Sequence, residues 1–481
     1  MAYVDLKEMS FEAFHHIGKK EFKEAEKKLS YLLNINPNEP VLYYYLGYMF
    51  AEKKQWAFAV LAFEKALEFE PNFDECLCNM SGAYRQLNRI DLAIPCFKEA
   101  VKIASHPNYV DKCNGDAEKA KINLADYLGN LASCYVGCGN PDEAIKWGEQ
   151  AIAVYPDRPN SMWNTGLAYL EKGDYRRGFH GYSFGPKLSG AKLRNYHAPN
   201  GVTPMWDGTL GQTVVVYGEQ GIGDEIMFAS MLADLAKDVN VIMESHPRLL
   251  DMFRRSFPHL TIYGTRKAVE ISWLKSHPQI DAQIPLSQLG QFYRREKSDF
   301  PGTPYLVVDE RLKANVATKY LEPLSARKKI GIAWKGGVGS TNKSVRCIPL
   351  DALKPLFELD CEFISLQYHD NARAEVDALN EAYGREVITH YQDVVDDYDL
   401  TAALLGSLDI VISVPQSIVH LAGAHGIETI QMCPKHALWQ MGPYGEDMPW
   451  YKSVRNIWQL EAGNWDTIVA NVVMELKHKG Y

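Results

Sequence analysis

Long uninterrupted apolar runs are missing from this 481-residue chain. None approaches the roughly 20 residues that a helical bilayer span needs, so no membrane-crossing helix is expected. The opening MAYVDLKEMS lacks the basic-then-apolar pattern of a secretory leader, and a cytoplasmic protein is expected. Excess positive charge is missing too. The 51 Lys+Arg against 60 Asp+Glu leave −9 at pH 7, which gives no global pull toward nucleic acid or an anionic membrane. A local basic groove is compatible with that total. The nine cysteines show no zinc-ligand spacing. Cys76 and Cys78, then Cys134 and Cys138, fall in helical segments and read as small buried apolar side chains of a reducing compartment. The fourteen histidines contain no HExxH or other paired spacing, so no metal is expected. A Walker A loop, a GxGxxG fingerprint and the kinase signatures are all absent.

With 46% hydrophobic and 23% charged residues, the composition is that of an ordinary globular protein. The length is too great for one core, and two or three domains are expected. The first third is repetitive. Asn36-Pro37-Asn38 returns as Glu70-Pro71-Asn72, 34 residues later. Between them stand Leu46, Gly47, Phe50, Ala59, Phe63 and Ala66; Met80, Ser81, Tyr84, Ala93, Phe97 and Ala100 follow at the same internal spacing. Leu131, Ala132, Tyr135, Ala144, Ala151 and Pro156 form a later unit. Small residues at Gly47, Ser81 and Ala132 let the two helices of a unit approach, and aromatics fill the gaps between units. This pattern resembles the tetratricopeptide repeat. Residues 5–37 look like a degenerate first unit, Trp163, Gly166 and Tyr169 begin a last one, and residues 106–121 interrupt the array as a longer loop or helix extension. Such arrays stack into a superhelix whose concave face binds a partner; scaffolding of a neighbouring domain fits equally well.

The remaining chain alternates strand and helix patterns after a Gly/Pro-rich connector at 185–205, which implies α/β structure with parallel sheet. Strands are expected near 214–216, 239–243, 260–263 and 280–284, ending near 305–308. A second set is expected at 330–334, 362–366, 410–414 and 429–433, with helices at 350–359, 400–407, 416–425 and 465–477. Open parallel sheets bind ligands beyond their carboxyl ends.

Three stretches suit an anionic ligand there. After Val214-Val215-Val216 comes Gly218-Glu219-Gln220-Gly221-Ile222-Gly223-Asp224, a glycine turn opening a helix. On spacing alone Asp224 reads equally as a helix cap. Residues 334–346 combine glycines and hydroxyls with Lys335, Lys343 and Arg346, which suits phosphate. Finally, Ser413-Val414-Pro415-Gln416-Ser417 ends a strand and starts a helix carrying His420, again an anion site. Together the three favour a diphosphate ligand. Asp397-Tyr398-Asp399 mimics the DxD of metal-dependent sugar transferases, but it precedes a helix and reads as a cap. Trp439 and Trp450 read as packing aromatics.

With Trp206-Asp207-Gly208, the 218–224 turn, Ile332-Ala333-Trp334, Arg346-Cys347-Ile348-Pro349-Leu350, Ser365-Leu366-Gln367 and His420-Leu421-Ala422-Gly423-Ala424 in order, residues 206–480 resemble a heptosyltransferase-like (family 9-type) glycosyltransferase, of the branch often fused to tetratricopeptide repeats. The resemblance implies a repeat α-solenoid at 1–184 and a GT-B fold of two Rossmann-like α/β halves. These are an acceptor-side half at 206–325 and a nucleotide-sugar half at 326–481. It also implies metal-independent, inverting transfer from a nucleotide-diphosphate sugar, without cofactor. Asp224 falls at the family's base, Glu219, Gln220, Gly221 and Gly223 on the acceptor-side loop, and Lys335, Lys343, Arg346, Gln416, Ser417 and His420 at the diphosphate. The acceptor is a protein or peptide held by the repeats, a glycan, or modified DNA, and an oligomer is compatible with the reading. One departure stands out: Pro415-Gln416 replaces the Asp-Thr usual in repeat-fused relatives, removing a carboxylate and a hydroxyl. A catalytically inactive repeat protein that binds a partner is the competing reading.

Overall fold

The structure is a computed structural model; it describes residues 6–156, 158–189, 195–196, 202–266, 271–337, 343–369, 371–436, 438–445 and 447–481. The chain divides into two compact units, Met1–Ala168 and Tyr169–Tyr481.

The first unit is built of packed helix pairs: Leu6–Gly18 with Phe22–Ile35, Pro40–Glu52 with Trp56–Phe69, Asp74–Gln86 with Ile90–Ala104, and Ala117–Gly137 with Pro141–Val154. The small residue expected at Gly47 is sterically required, because a Cβ there would meet the Phe63 ring at 2.6 Å. Ala25, Ala59, Ala93 and Ala144 are all fully buried. Each pair turns on one left-handed residue, Lys20, Lys54 and Asn88 (φ 62°, 58° and 57°) and then Gly139, and Gly173 recurs after the next helix, Pro159–Glu171. The next residue's N–H reaches back five positions, as in Glu21 to His16 O (2.9 Å), Gln55 to Phe50 O (2.8 Å) and Arg89 to Tyr84 O (2.8 Å). This is the Schellman closure of a helix, and its recurrence marks the repeat more sharply than any side chain does. The interruption at 106–121 folds as a short helix, Tyr109–Lys112, and a turn, after which Asp116 caps the long Ala117–Gly137 helix. Its anchor is the buried Asp74 carboxylate, which accepts from Tyr109 and, at 2.8 Å, from Tyr127 and pairs with Lys112 at 2.5 Å.

The second unit contains two parallel sheets. The first joins β1 (Thr213–Tyr217), β2 (Asn240–Glu244), β3 (Thr261–Tyr263) and β4 (Ala282–Pro285) in the order β3-β2-β1-β4. The second joins β5 (Lys328–Ala333), β6 (Cys361–Ser365), β7 (Ile388–His390), β8 (Ile410–Ser413), β9 (Thr429–Cys433) and β10 (Val454–Trp458) in the order β10-β9-β8-β5-β6-β7. In each the chain winds outward from its first strand and then returns to that strand's other side. The reversal points, β1/β4 and β5/β8, open crevices at the carboxyl ends. Val214, Val215 and Val216 are fully buried, with Val215 registered between Ile242 and Gln283.

Some elements differ from expectation. Residues 350–359, expected as an α-helix, form a 3₁₀ turn, Leu350–Leu356, because Pro355 interrupts the ladder. Residues 305–308 run extended without pairing in either sheet, held by Leu306 N–H on Ala424 O at 3.0 Å. The short β7, the helix Ala372–Tyr383 and β10 were not expected. β10 hides an asparagine, Asn456, which donates to Met441 O at 2.9 Å. The repeat array was expected to reach 184, yet the helix Tyr175–Tyr182 belongs to the second unit. Its aromatics pack there, Tyr175 on Phe300 (4.6 Å between centroids) and Phe179 edge-on to Trp439 (5.7 Å). Among the described residues no helix is long and apolar enough to cross a membrane.

Left-handed backbone costs a side-chain-bearing residue about 1 kcal/mol that glycine avoids. Lys54→Gly is therefore expected to raise stability by about 0.5–1 kcal/mol, and Gly173→Ala to lower it, both read as shifts of the urea midpoint.

Candidate functional site

Loops from both sheets surround a cavity of about 480 Å³ in the second unit, whose wall includes Asp224, Arg346, Gln416, Ser417, His420 and Gln440. The sheet reversals explain the meeting: the turn after β1 carries Asp224, the loop after β5 ends at Arg346, and the turn after β8 carries Gln416. Two helix N-termini meet on its wall. A Cβ on Gly223, in the helix Ile222–Ala229, would meet Ser417 Cα at 3.1 Å and His420 Cδ2 at 3.3 Å. Ser417 opens the helix Ser417–Ala424, with Gln416 as its N-cap.

Asp224 is half-buried and gripped at both oxygens. Oδ2 accepts from the Gly221 N–H at 3.2 Å and Oδ1 from Gln440 Nε2 at 3.3 Å. It thus caps its helix while standing on the cavity wall. Burial raises its pKa above the ordinary aspartate value; the Gln440 and Gly221 bonds and the Arg346 charge oppose that rise. Arg346 is 6% exposed. Burial lowers its pKa, partly offset by Asp224, but a guanidinium remains charged throughout the neutral range.

His420 is 5% exposed, and burial pushes its pKa down to about 4. It is therefore a neutral imidazole at pH 7 and supplies no cationic charge. Tyr305 donates its hydroxyl proton to Ile226 O at 2.6 Å, and the Tyr451 hydroxyl lies 3.4 Å from that of Tyr305 and 3.3 Å from His420 Nδ1.

The other expected site residues are placed as follows. Gln220, Gly221 and Gly223 line the cavity, and Gln220 also donates to Tyr182 at 2.5 Å. Glu219 lies outside the wall; burial pushes its carboxyl up to about 7, and Ser287 hydrogen-bonds it. Lys335 also lies outside the wall, paired with Glu375, which accepts from Trp334 Nε1 at 2.8 Å as well. A lysine held by that carboxylate does not line the cavity. Lys343 begins the turn Lys343–Arg346, but its side chain, like residues 338–342, lies outside the described ones. Among the described residues no cluster of three His, Cys, Asp or Glu could hold a metal.

Among the wall residues not expected as site residues, four are polar: Arg248, Tyr368, Tyr398 and Gln440. Tyr398 sits inside the Asp-Tyr-Asp motif. Asp397 does cap, accepting from Asp399 and Leu400 N–H at 2.8 and 3.0 Å, and Asp399 pairs with Arg255. The tyrosine between them reaches the cavity and donates to Ser417 Oγ at 3.3 Å, with the Arg248 guanidinium 4.7 Å above its ring. Gln440 follows Trp439, which packs on Tyr182 (5.2 Å) as a core aromatic. No local signal marks Arg248.

Family models described as tetratricopeptide repeat match residues 74–107 and 128–161, each span covering most of one helix pair. Among curated proteins the chain is similar to Protein FlbA of Caulobacter vibrioides (strain ATCC 19089 / CIP 103742 / CB 15). The two are 25% identical over 467 residues, 94% of this chain and 70% of that protein. Similar solved structures include pilF of Pseudomonas aeruginosa, 14% identical, covering 40% of this chain and 78% of that one with a TM-score of 0.33. YrrB, a TPR protein with an unusual peptide-binding site, is 18% identical over 37% of this chain and 84% of its own, TM-score 0.28. The N-terminal region is thus a tetratricopeptide-repeat array, followed by a region of parallel α/β sheet.

The depressed His420 pKa has a defined sign in stability. Between its ordinary value of 6.5 and about 4, the unfolded chain binds a proton that the folded chain refuses. Stability present above about pH 6.5 is therefore lost as pH falls toward 4. His420→Gln removes this dependence, so its melting temperature relative to wild type should rise between pH 7 and pH 5; a constant difference would mean His420 titrates normally.

Proposed function

We propose that the protein is a glycosyltransferase that moves a sugar from a nucleotide-diphosphate donor to an acceptor hydroxyl with inversion. The two parallel sheets are read as the acceptor-side and nucleotide-sugar halves of a GT-B fold. The observation that carries this reading is the pairing, on one cavity, of the doubly held Asp224 carboxylate with Arg346 and the N-terminus of the Ser417–Ala424 helix. A base and an anion site on one wall are what an in-line transfer needs.

The chemistry follows from those parts. Asp224 takes the proton of the acceptor hydroxyl as its oxygen forms a bond to the anomeric carbon. On the opposite face the bond from that carbon to the phosphate oxygen breaks, and its electron pair leaves with the nucleoside diphosphate. The charge developing there is met by Arg346 and by the free N–H groups and dipole of the Ser417 helix end. Burial suits Asp224 to this role, since a raised pKa makes a stronger base, and its two hydrogen bonds hold it in position. Donor discrimination then falls to Gln416, Ser417, Tyr398 and Arg248. The repeats supply the protein- or peptide-binding surface through which the acceptor is chosen.

A thermal-shift panel of UDP-, GDP-, ADP-, CMP- and dTDP-linked ligands should find one that raises the melting temperature, because a ligand that binds only the folded state stabilises it. Asp224→Asn should then cut turnover by about 10²–10⁴-fold with donor affinity nearly intact; equal loss of both would move Asp224 out of the role of base. Arg346→Ala should instead weaken nucleotide binding. The acid limb of kcat/KM should lie above pH 3.8, the ordinary aspartate value. If no donor in the panel releases nucleotide while the repeats still capture a partner, the chain is a binding protein.

A further inference from the structure

The turn that carries Asp224 is gripped at one peptide. The Gly221 N–H, which bonds Asp224 Oδ2 at 3.2 Å, belongs to the same planar trans unit as the Gln220 carbonyl. In a trans peptide these two groups point in opposite directions, so whatever holds the carbonyl aims the N–H. The Arg266 guanidinium holds it: Nη2 donates to Gln220 O, and Nη1 pairs with Glu225 at 2.6 Å. Both side chains are buried. Glu225 is itself fixed, accepting from the His246 N–H at 2.7 Å, and a Cβ on Gly218 would collide with its carboxylate. An arginine fork held by a buried carboxylate is a well-oriented donor. A cation on the carbonyl side of an amide also polarises its N–H, which strengthens the bond to Asp224.

A second grip acts on the same residue. Gln220 Nε2 donates to the Tyr182 hydroxyl at 2.5 Å. Tyr182 is buried, with Trp439 and Phe228 at 5.2 and 6.2 Å between ring centroids. Trp439 in turn precedes Gln440, whose amide bonds the other oxygen of Asp224. Neither Arg266 nor Tyr182 lines the cavity. Their route to Asp224 therefore runs through the residues that hold it.

We propose that Arg266 and Tyr182 are positioning residues for the Asp224 base, acting through Gln220: Arg266 fixes its carbonyl and Tyr182 its side chain, so that the Gly221 N–H stays on the carboxylate. The proposal rests on the glycosyltransferase reading above. Loss of either grip loosens the Gly221 bond, one of the contacts that hold the Asp224 pKa down, and lets the carboxylate leave its line to the acceptor. The other titratable groups that act on Asp224 or respond to its charge, Arg346, Glu219 and Tyr451, stay in place.

The test uses two full-length variants. Arg266→Lys keeps the charge and loses the fork; Tyr182→Phe keeps the ring and loses the hydroxyl. Amide hydrogen exchange reads the grip itself: peptides spanning residues 218–224 should exchange about fivefold faster in each variant. Turnover is read as nucleotide release from sugar conjugates of UDP, GDP, ADP, CMP and dTDP, with cell lysate as the acceptor source. For the conjugate that wild type uses, kcat should fall about tenfold or more, while affinity measured by calorimetry stays within about twofold. The acid limb of kcat/KM should move to higher pH, because a carboxylate that loses a hydrogen-bond donor has a higher pKa. Unchanged exchange at 218–224 would overturn the proposal, and so would faster exchange with the rate and acid limb unmoved. Equal losses of turnover and conjugate binding would make the contacts merely structural and overturn it, as would a fall in melting temperature of more than about 5 °C in both variants. Wild type that releases nucleotide from no conjugate would instead remove the glycosyltransferase reading, and the role of base with it.

Discussion

The second unit depends on one close approach. Gly223 brings the start of one helix against Ser417 at the start of another, and a Cβ there would sit tight against Ser417 Cα at 3.1 Å. Helix N-termini carry unsatisfied N–H groups and partial positive charge. Setting two of them on one cavity concentrates donors where an anion can settle. The same contact sets Asp224 across from Gln440, so the carboxylate is held by the helix it caps and by a residue from the other sheet's side of the unit. A side chain at 223 would press on Ser417 and His420 and strain this contact.

Burial then sorts the charges. Asp224 is raised, Glu219 is pushed up to about 7, and His420 is pushed down to about 4. Each shift has the same physical origin, the cost of a charge away from water. The cations on the wall are the guanidiniums of Arg346 and Arg248, which do not yield their protons in the neutral range. Lys335, which looked equivalent in sequence, neutralises Glu375 instead.

The repeat unit shows how one constraint propagates. The left-handed turn residue at 20, 54, 88, 139 and 173 sets each helix pair, and the interval stretches only between 88 and 139, where residues 106–121 intervene. Asp74 absorbs that intrusion by holding Tyr109, Lys112 and Tyr127 around one buried carboxylate. The last helix, Tyr175–Tyr182, continues the period in sequence while its aromatics pack within the α/β unit.

Much of the local structure was legible in the residues alone. Periodic Ala, Gly and aromatic positions are determined by helix packing within a few turns, so the repeats could be read directly. Apolar β-branched runs marked β1, β5, β8 and β9, and the glycine turn before Asp224 announced its helix start. β7 is only three residues long, and β10 carries a buried Asn456 whose partner, Met441 O, lies outside its strand; neither leaves a periodic signal. The site divided in the same way. Asp224, Arg346, Gln416, Ser417 and His420 could be named because each follows a strand, where open sheets bind ligands. Arg248 and Gln440 could not, since what places them is contact across more than a hundred residues of chain, with Tyr398 and Asp224. The capping of Asp224 was a local property, set by the three residues before it. That its second oxygen would meet Gln440, and that Lys335 would be held away by Glu375, was decided only by tertiary structure, because hydrogen bonds and ion pairs form between whichever groups the packed sheets bring together.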